Sequence, residues 1–377
     1  VRVLLFTGKG GVGKTTLAAA TGACLARRGR KTLVVSTDPA HSLADAVGSP
    51  LGDEPSEVDS FLYGAQIDAR TLVDDTWETL RRELATALSG LGLDALDAEE
   101  LTVLPGVDEL LSLGQVRRLA DEGPWENVVV DCGPTAETLR LLALPEAVAG
   151  YLRRLPAWRS ATRVARSVDR FAAHVESLRA LLTDHETTTV RLVLTPERVV
   201  AAETRRTLTA LALRGIAVDG VVVNRMMPSP GWWRGAAASW LRTRRAQQEQ
   251  VIEELRDGGL TGRTLRTVEH RAVEPVGMEA LLEIADELYG KASPLVGDVG
   301  AAPLLETVEA EGGVCLRIVL PLAKDSTVRL ARVDDDLAVT VDGFRRLVAL
   351  PEALRPYTLT GAESDARGLL VHLESPL

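Results

Sequence analysis

Three observations predict an α/β fold with a mostly parallel sheet flanked by helices, followed by a small all-β sandwich. Short apolar runs, Val3–Phe6, Thr32–Val35, Val128–Asp131, Val190–Leu194 and Val218–Val223, recur with helix-length segments between them, as buried parallel strands joined by helical crossovers do. A glycine-rich turn, Gly8–Thr15, connects the first run to the first helix. Beyond a Gly-, Ala-, Pro- and Ser-bearing stretch, Gly290–Ala302, short strands separated by Asp- and Gly-bearing turns replace the helical period.

Bulk properties bound the rest. The 377 residues suffice for a sizeable core. With 43 Lys+Arg against 53 Asp+Glu the net charge is -10, which argues against a uniformly basic nucleic-acid surface, so no nucleic-acid partner is expected. Cys24, Cys132 and Cys315 are far apart with no C-x-x-C pair, so neither a disulfide framework nor a thiol zinc site is written locally. A reducing, cytoplasmic setting is the expectation. Val1 already opens the first strand and no apolar run reaches the roughly 18 residues of a membrane span, so we expect neither a leader nor an anchor, and any membrane contact to be peripheral.

Gly8-Lys9-Gly10-Gly11-Val12-Gly13-Lys14-Thr15 satisfies the phosphate-loop pattern G-x-x-x-x-G-K-[ST] in the required setting, after a strand and at the start of a helix. Glycines let successive backbone N–H groups curl around phosphate oxygens, while the helix directs its positive end at the same charge. Lys14 reaches the β- and γ-phosphates in such a loop, and the Thr15 hydroxyl is a Mg2+ ligand; Thr16 follows in the first turn. Val128–Asp131 ends in the carboxylate that serves the Mg2+ side of a phosphate-loop ATPase. Asp38 stands just past Thr32–Val35, at the carboxyl end of a strand, where ligands of open α/β sheets sit.

Lys9 narrows the family. Its addition gives K-G-G-x-G-K-[ST]-T, the deviant Walker A form, and here the sequence resembles the ArsA/Get ATPases. These include bacterial arsenite-pump ATPases and cytosolic ATPases that target tail-anchored membrane proteins. The resemblance implies that Lys9 crosses a dimer interface to the partner's nucleotide; the alternative is a solvated loop lysine. Asp38-Pro39-Ala40-His41-Ser42-Leu43 resembles the family's first switch, which implies that Asp38 activates the attacking water, with Pro39 and His41 part of the motif. His41 reads as a structural or switch contact, and Asp38 alternatively as a helix cap. Asp131-Cys132-Gly133-Pro134-Thr135 resembles the second switch, so Asp131, Pro134 and Thr135 carry over. Gly133 and Ala136-Glu137 depart from the family's Ala and Gly-His.

The helices follow in order. Lys14–Arg28 is rich in alanine and stops at Gly29. After a strand at Leu62–Gln66 a helix is expected from about Ala69 to Leu91, and Pro105-Gly106-Val107-Asp108-Glu109 resembles a family element near the client-binding region, or is a plain helix-turn-helix. Leu144–Thr189 should be helical, with Ala161, Val164, Val168, Phe171, Val175, Leu178 and Leu182 on one stripe. In relatives this region is a groove or lid for hydrophobic segments; it also reads as a membrane-surface helix or as a helix packed on the ATPase body. A helix from Pro196 to Arg214 lies between two strands, the second ending in Asn224, which resembles the asparagine that recognises adenine. As a turn residue it would be unremarkable. No cysteine follows it where the targeting ATPases have their zinc pair, so no zinc is carried over. Trp232, Trp233 and Trp240 there suit a partner or membrane contact, or packing under the helical layer. Glu269–Met278 resembles the segment folding over adenine, which implies Pro275 and Val276 as base neighbours.

The last segment carries L-x-V-x-V-x-G-x-R-R over Leu337–Arg346 and Leu350-Pro351, and resembles the α-crystallin-like small heat-shock domain appended to some ArsA-like ATPases. The expected organisation is an ATPase domain over 1–289, with helical insertions at about 69–122 and 144–189, a linker over 290–303, and the sandwich over 304–377. The expected function is Mg2+-dependent ATP hydrolysis in a homodimer, serving either hydrophobic client segments and membrane proteins or an arsenite or other anion pump. Only three methionines occur, fewer than a promiscuous client groove calls for.

Overall fold

The computed structural model describes residues 1–38, 42–68, 107–132, 162–257, 263–296, 305–310, 313–320, 322, 326–365 and 367–375. They fall into two compact units. The first comprises Val1–Thr7, Lys14–Thr188 and Pro275–Asp286, and the second Gly8–Gly13, Thr189–Glu274 and Glu287–Leu377. Elements are numbered over the described residues.

In the first unit, strands β1 (Arg2–Thr7), β2 (Thr32–Ser36), β3 (Ser56–Asp59), β4 (Leu62–Gln66) and β5 (Asn127–Asp131) lie in the order β3-β4-β2-β5-β1. All neighbours are parallel except the short edge strand β3. β2 and β5 are buried throughout, because central strands of a parallel sheet are covered on both faces. Helix α1 (Lys14–Arg27) buries Leu17 through Ala26 against them, and its small side chains permit that close approach. Helices α2 (Ser42–Val47), α3 (Val107–Glu122) and α4 (Thr162–Thr183) follow. The α4 residues Val175, Leu178 and Leu182 are buried, as the stripe requires, but the helix stops at Thr183 and a strand has begun by Thr188. The β-branched run Thr187–Val190 favours extended chain, which ends the helix short of the expected Thr189.

The second unit holds β6 (Thr188–Leu194, all but its first residue), β7 (Val218–Met226) and β8 (Thr264–Glu269), which are parallel and in that order. Helices α5 (Arg198–Leu213) and α6 (Ala236–Asp257) belong to it. Helix α7 (Met278–Tyr289) starts in the first unit and ends in the second. β7 runs on through Asn224 and Arg225 to Met226. Its register with β8 shifts there: Val223 faces Thr267 and Met226 faces Glu269, so Asn224 and Arg225 oppose the single residue Val268.

Seven short strands complete the second unit: β9 (Leu305–Ala310), β10 (Gly313–Val319), β11 (Val328–Val333), β12 (Asp336–Val341), β13 (Phe344–Ala349), β14 (Thr358–Asp365) and β15 (Gly368–Glu374). They form a four-stranded sheet, β14-β15-β10-β9, and a three-stranded one, β11-β12-β13. The inward residues Leu316, Ile318, Val339, Val341, Leu369 and Val371 make one core, and Leu213 from the end of α5 belongs to it. Arg346 Nη1 donates to the Leu213 carbonyl. The sandwich is therefore seated on α5.

Candidate functional site

Each strand of the first unit that should carry a site residue does so at its carboxyl end. Asp131 closes β5 and is fully buried; its Oδ2 accepts a hydrogen bond from Ser36 Oγ at 3.1 Å. Ser36, the last residue of β2, also accepts from the Asp38 backbone N–H at 3.2 Å, so one hydroxyl ties the two aspartates together. Asp131 Oδ1 is buried with no hydrogen-bond partner among the described residues. Burial raises the Asp131 carboxyl, Thr15, the Lys14 charge and Ser36 pull it down, and Asp38 pushes it up again. Thr15 Oγ1 is 3.0 Å from Ser42 Oγ, the first residue of α2.

A buried carboxylate oxygen left bare costs several kcal/mol unless something cationic meets it. With the Thr15 hydroxyl, that oxygen is of the hard type that could serve as a ligand to a divalent cation. Neighbouring Cys132 is not such a ligand. Burial, with Asp131 adding to it, raises the thiol far above its ordinary range, which leaves it an inert core group.

The second unit holds the glycine half of the loop. A Cβ on Gly8 would lie 2.1 Å from the Val193 carbonyl oxygen, so only glycine admits this close approach. Asn224 Nδ2 donates to the Val12 carbonyl at 2.8 Å, and its Oδ1 accepts from the Arg225 N–H at 2.9 Å. One donor hydrogen and one acceptor lone pair of the carboxamide are left over, the complement an adenine edge presents. Lys9 lies 3.5 Å from Glu203 of α5, both about half exposed. It lines a cavity of ≈ 380 Å³ with Gly10, Gly11, Arg225, Arg244 and His270, a lining in which cations outnumber carboxylates.

Of the remaining expected residues, Thr16 is half-buried in α1. Pro275 and the exposed Val276 belong to the first unit, beside the end of α2, where the Gly277 N–H bonds the Ala46 carbonyl at 2.9 Å. Pro39, His41, Pro134 and Thr135 lie outside the described residues. The sequence did not single out Ser36, Ser42 or Gln248; the hydroxyl ending the apolar run of β2 was the one available signal for Ser36. Trp232, Trp233 and Trp240 are 87%, 67% and 60% exposed, so they are not packed under helices.

A parallel α/β sheet with a glycine loop opening a helix, a lysine and threonine in that helix's first turn, and an aspartate ending the neighbouring strand defines a phosphate-loop nucleotide hydrolase. The anion-transporting ATPase family matches residues 1–290, and the HSP20-like domain found in ArsA matches residues 311–373. The chain belongs to that ATPase family and is an ATP-hydrolysing enzyme. Protein Rv2184c of Mycobacterium tuberculosis is 38% identical over 401 residues, covering 96% of this chain and 93% of that one. Proteins named for an arsenical pump-driving ATPase are similar too: one from Chlorobaculum tepidum is 30% identical over 94% of this chain and 91% of its own length, and one from Aquifex aeolicus 29% over 99% and 100%.

Proposed function

We propose that the chain hydrolyses Mg·ATP in a nucleotide-switched homodimer that handles hydrophobic polypeptide segments or membrane proteins. The bare Asp131 Oδ1 carries the chemical half of this reading, because it asks for the cation that accompanies a nucleoside triphosphate. Asp131 and Thr15 would hold Mg2+, which supplies charge neutralisation on the phosphates when bound. Gly8–Gly13 offer backbone N–H groups to the phosphates and Lys14 a fixed charge. Asp38, held by Ser36, orients the attacking water and accepts its hydrogen bond. Asn224 meets the base with its remaining donor and acceptor, and Pro275 and Val276 flank it. Lys9 acts on the partner's nucleotide. No described helix is long and apolar enough to cross a membrane.

The names of two relatives favour a second reading, the engine of an arsenite pump. Arsenite requires converging thiols, whereas Cys24, Cys132 and Cys315 are all buried, in α1, at the end of β5 and in β10. That disfavours it. The test is steady-state ATP hydrolysis by the protein alone, with arsenite, and with a detergent-solubilised hydrophobic helix peptide, using Asp38→Asn as the blank. We expect the rate to respond to the peptide, to ignore arsenite, and to fall at least about 100-fold in Asp38→Asn. Stimulation by arsenite that disappears when the cysteines are replaced would establish the pump instead, and normal hydrolysis by Asp38→Asn would remove the assigned mechanism.

A further inference from the structure

We propose that Gln248 of α6 is a positioning residue for the nucleotide: it splints the bulge that aims Asn224 at the phosphate loop. The inference rests on the nucleotide reading above. Arg225 adopts a left-handed conformation, φ 60°, which a non-glycine residue holds only when its surroundings impose it. Asn224 and Arg225 together oppose one residue of β8, and such a bulge re-aims a side chain that a regular strand would point elsewhere. Here the re-aimed chain is Asn224, seated so close to the loop that a Cβ on Gly13 would come within 2.3 Å of its Nδ2.

A bulge strips the ladder of partners, and Gln248 restores them. It is 2% exposed. Its Oε1 accepts from the Met227 N–H at 2.7 Å and its Nε2 donates to the Arg225 carbonyl at 3.4 Å, so one carboxamide bridges the two peptide groups on either side of Met226, where the chain leaves the bulge. Arg245, one turn earlier on the same helix face, donates to the Met227 carbonyl at 2.7 Å and is itself held by Glu269 at 2.7 Å. The bonds from Gln248 and Arg245 to Arg225 and Met227 all fall on backbone, which is what fixes a conformation rather than a side-chain identity. A glutamine suits the task because it supplies one donor and one acceptor on a single rigid plane.

The deciding measurement is equilibrium binding of ADP and GDP to the full chain, for wild type, Asn224→Ala, Gln248→Leu and Gln248→Glu, with the thermal midpoint of each recorded. Gln248→Leu keeps the volume and loses both bonds; we expect ADP to bind about tenfold more weakly and the preference for ADP over GDP to fall by a similar factor. Gln248→Glu keeps the acceptor for Met227 and should lie between Leu and wild type, which also serves if the leucine variant folds poorly. If Asn224→Ala abolishes the preference while both Gln248 variants keep wild-type affinity and preference, Gln248 is a packing residue and the inference is wrong. If wild type itself does not prefer ADP, the base-reading role of Asn224 fails first and this inference falls with it.

Discussion

At the scale of single residues, the loop's glycines are not equivalent. Gly13 has φ 92° and would place a Cβ within 2.3 Å of Asn224 Nδ2, whereas Gly10 has no atom within 4 Å of that point and no positive φ. Gly13→Ala must therefore strain the backbone and displace the carboxamide that holds Val12, at about 1–3 kcal/mol. Gly10→Ala should shift stability by no more than about 0.5 kcal/mol. Denaturant unfolding of the two variants without nucleotide measures the difference, and equal losses would mean that the clamp of Asn224 on the loop is absent. The motif disclosed the glycines but not this division of labour, which depends on Asn224 some 200 positions away. Ser36 was hidden for the same reason. Its hydroxyl means nothing until β2 and β5 are neighbours and Asp131 arrives beside it.

At the scale of elements, the apolar runs located the strands because burial on both faces leaves a composition signal that needs no partner. Strands whose alternation is broken by charge, β9 and β14, were not found, and neither was the four-residue edge strand Ser56–Asp59. The hairpin between β12 and β13 was legible through Asp342-Gly343, both at positive φ as a tight turn demands. Arg191 shows what periodicity cannot supply. It sits inside the fully buried β6, paired with Asp219 of β7 through bonds of 3.0 and 2.6 Å, and it also donates to Tyr289 Oη at 2.9 Å and the Pro294 carbonyl at 2.8 Å. Burial works against its charge, and Tyr289 and Asp219 more than offset that, so its pKa stays raised. Arg191→Met should cost about 3–5 kcal/mol because Asp219 is left buried and uncompensated. Arg191→Met with Asp219→Leu should recover most of the loss, since two apolar chains of similar bulk remove the desolvation cost along with the attraction. Urea unfolding checks both, and a double variant no better than the single one would show that the bonds to Tyr289 and Pro294 dominate instead.

At the scale of the whole molecule, the question is whether one chain makes a complete site. The pairing of Lys9 with Glu203 at 3.5 Å is half exposed and worth no more than about 1 kcal/mol. On the proposed reading Lys9 completes the partner's site, and complementation between two inactive variants tests this directly. Lys9→Gln retains its own Asp38 but cannot serve its partner; Asp38→Asn cannot orient water but still offers Lys9. Each homodimer should be nearly inactive. Co-expressed with different tags and purified through both, they form a heterodimer in which one of the two sites joins an intact Asp38 to an intact Lys9 from the other chain. Its activity per dimer should be about half that of wild type, because a two-fold interface builds both sites from the same two surfaces. Were Lys9 to act within its own chain, neither site of the heterodimer would be intact and the rate would stay at the level of the parents. Failure to recover any doubly tagged species would refute the dimer itself.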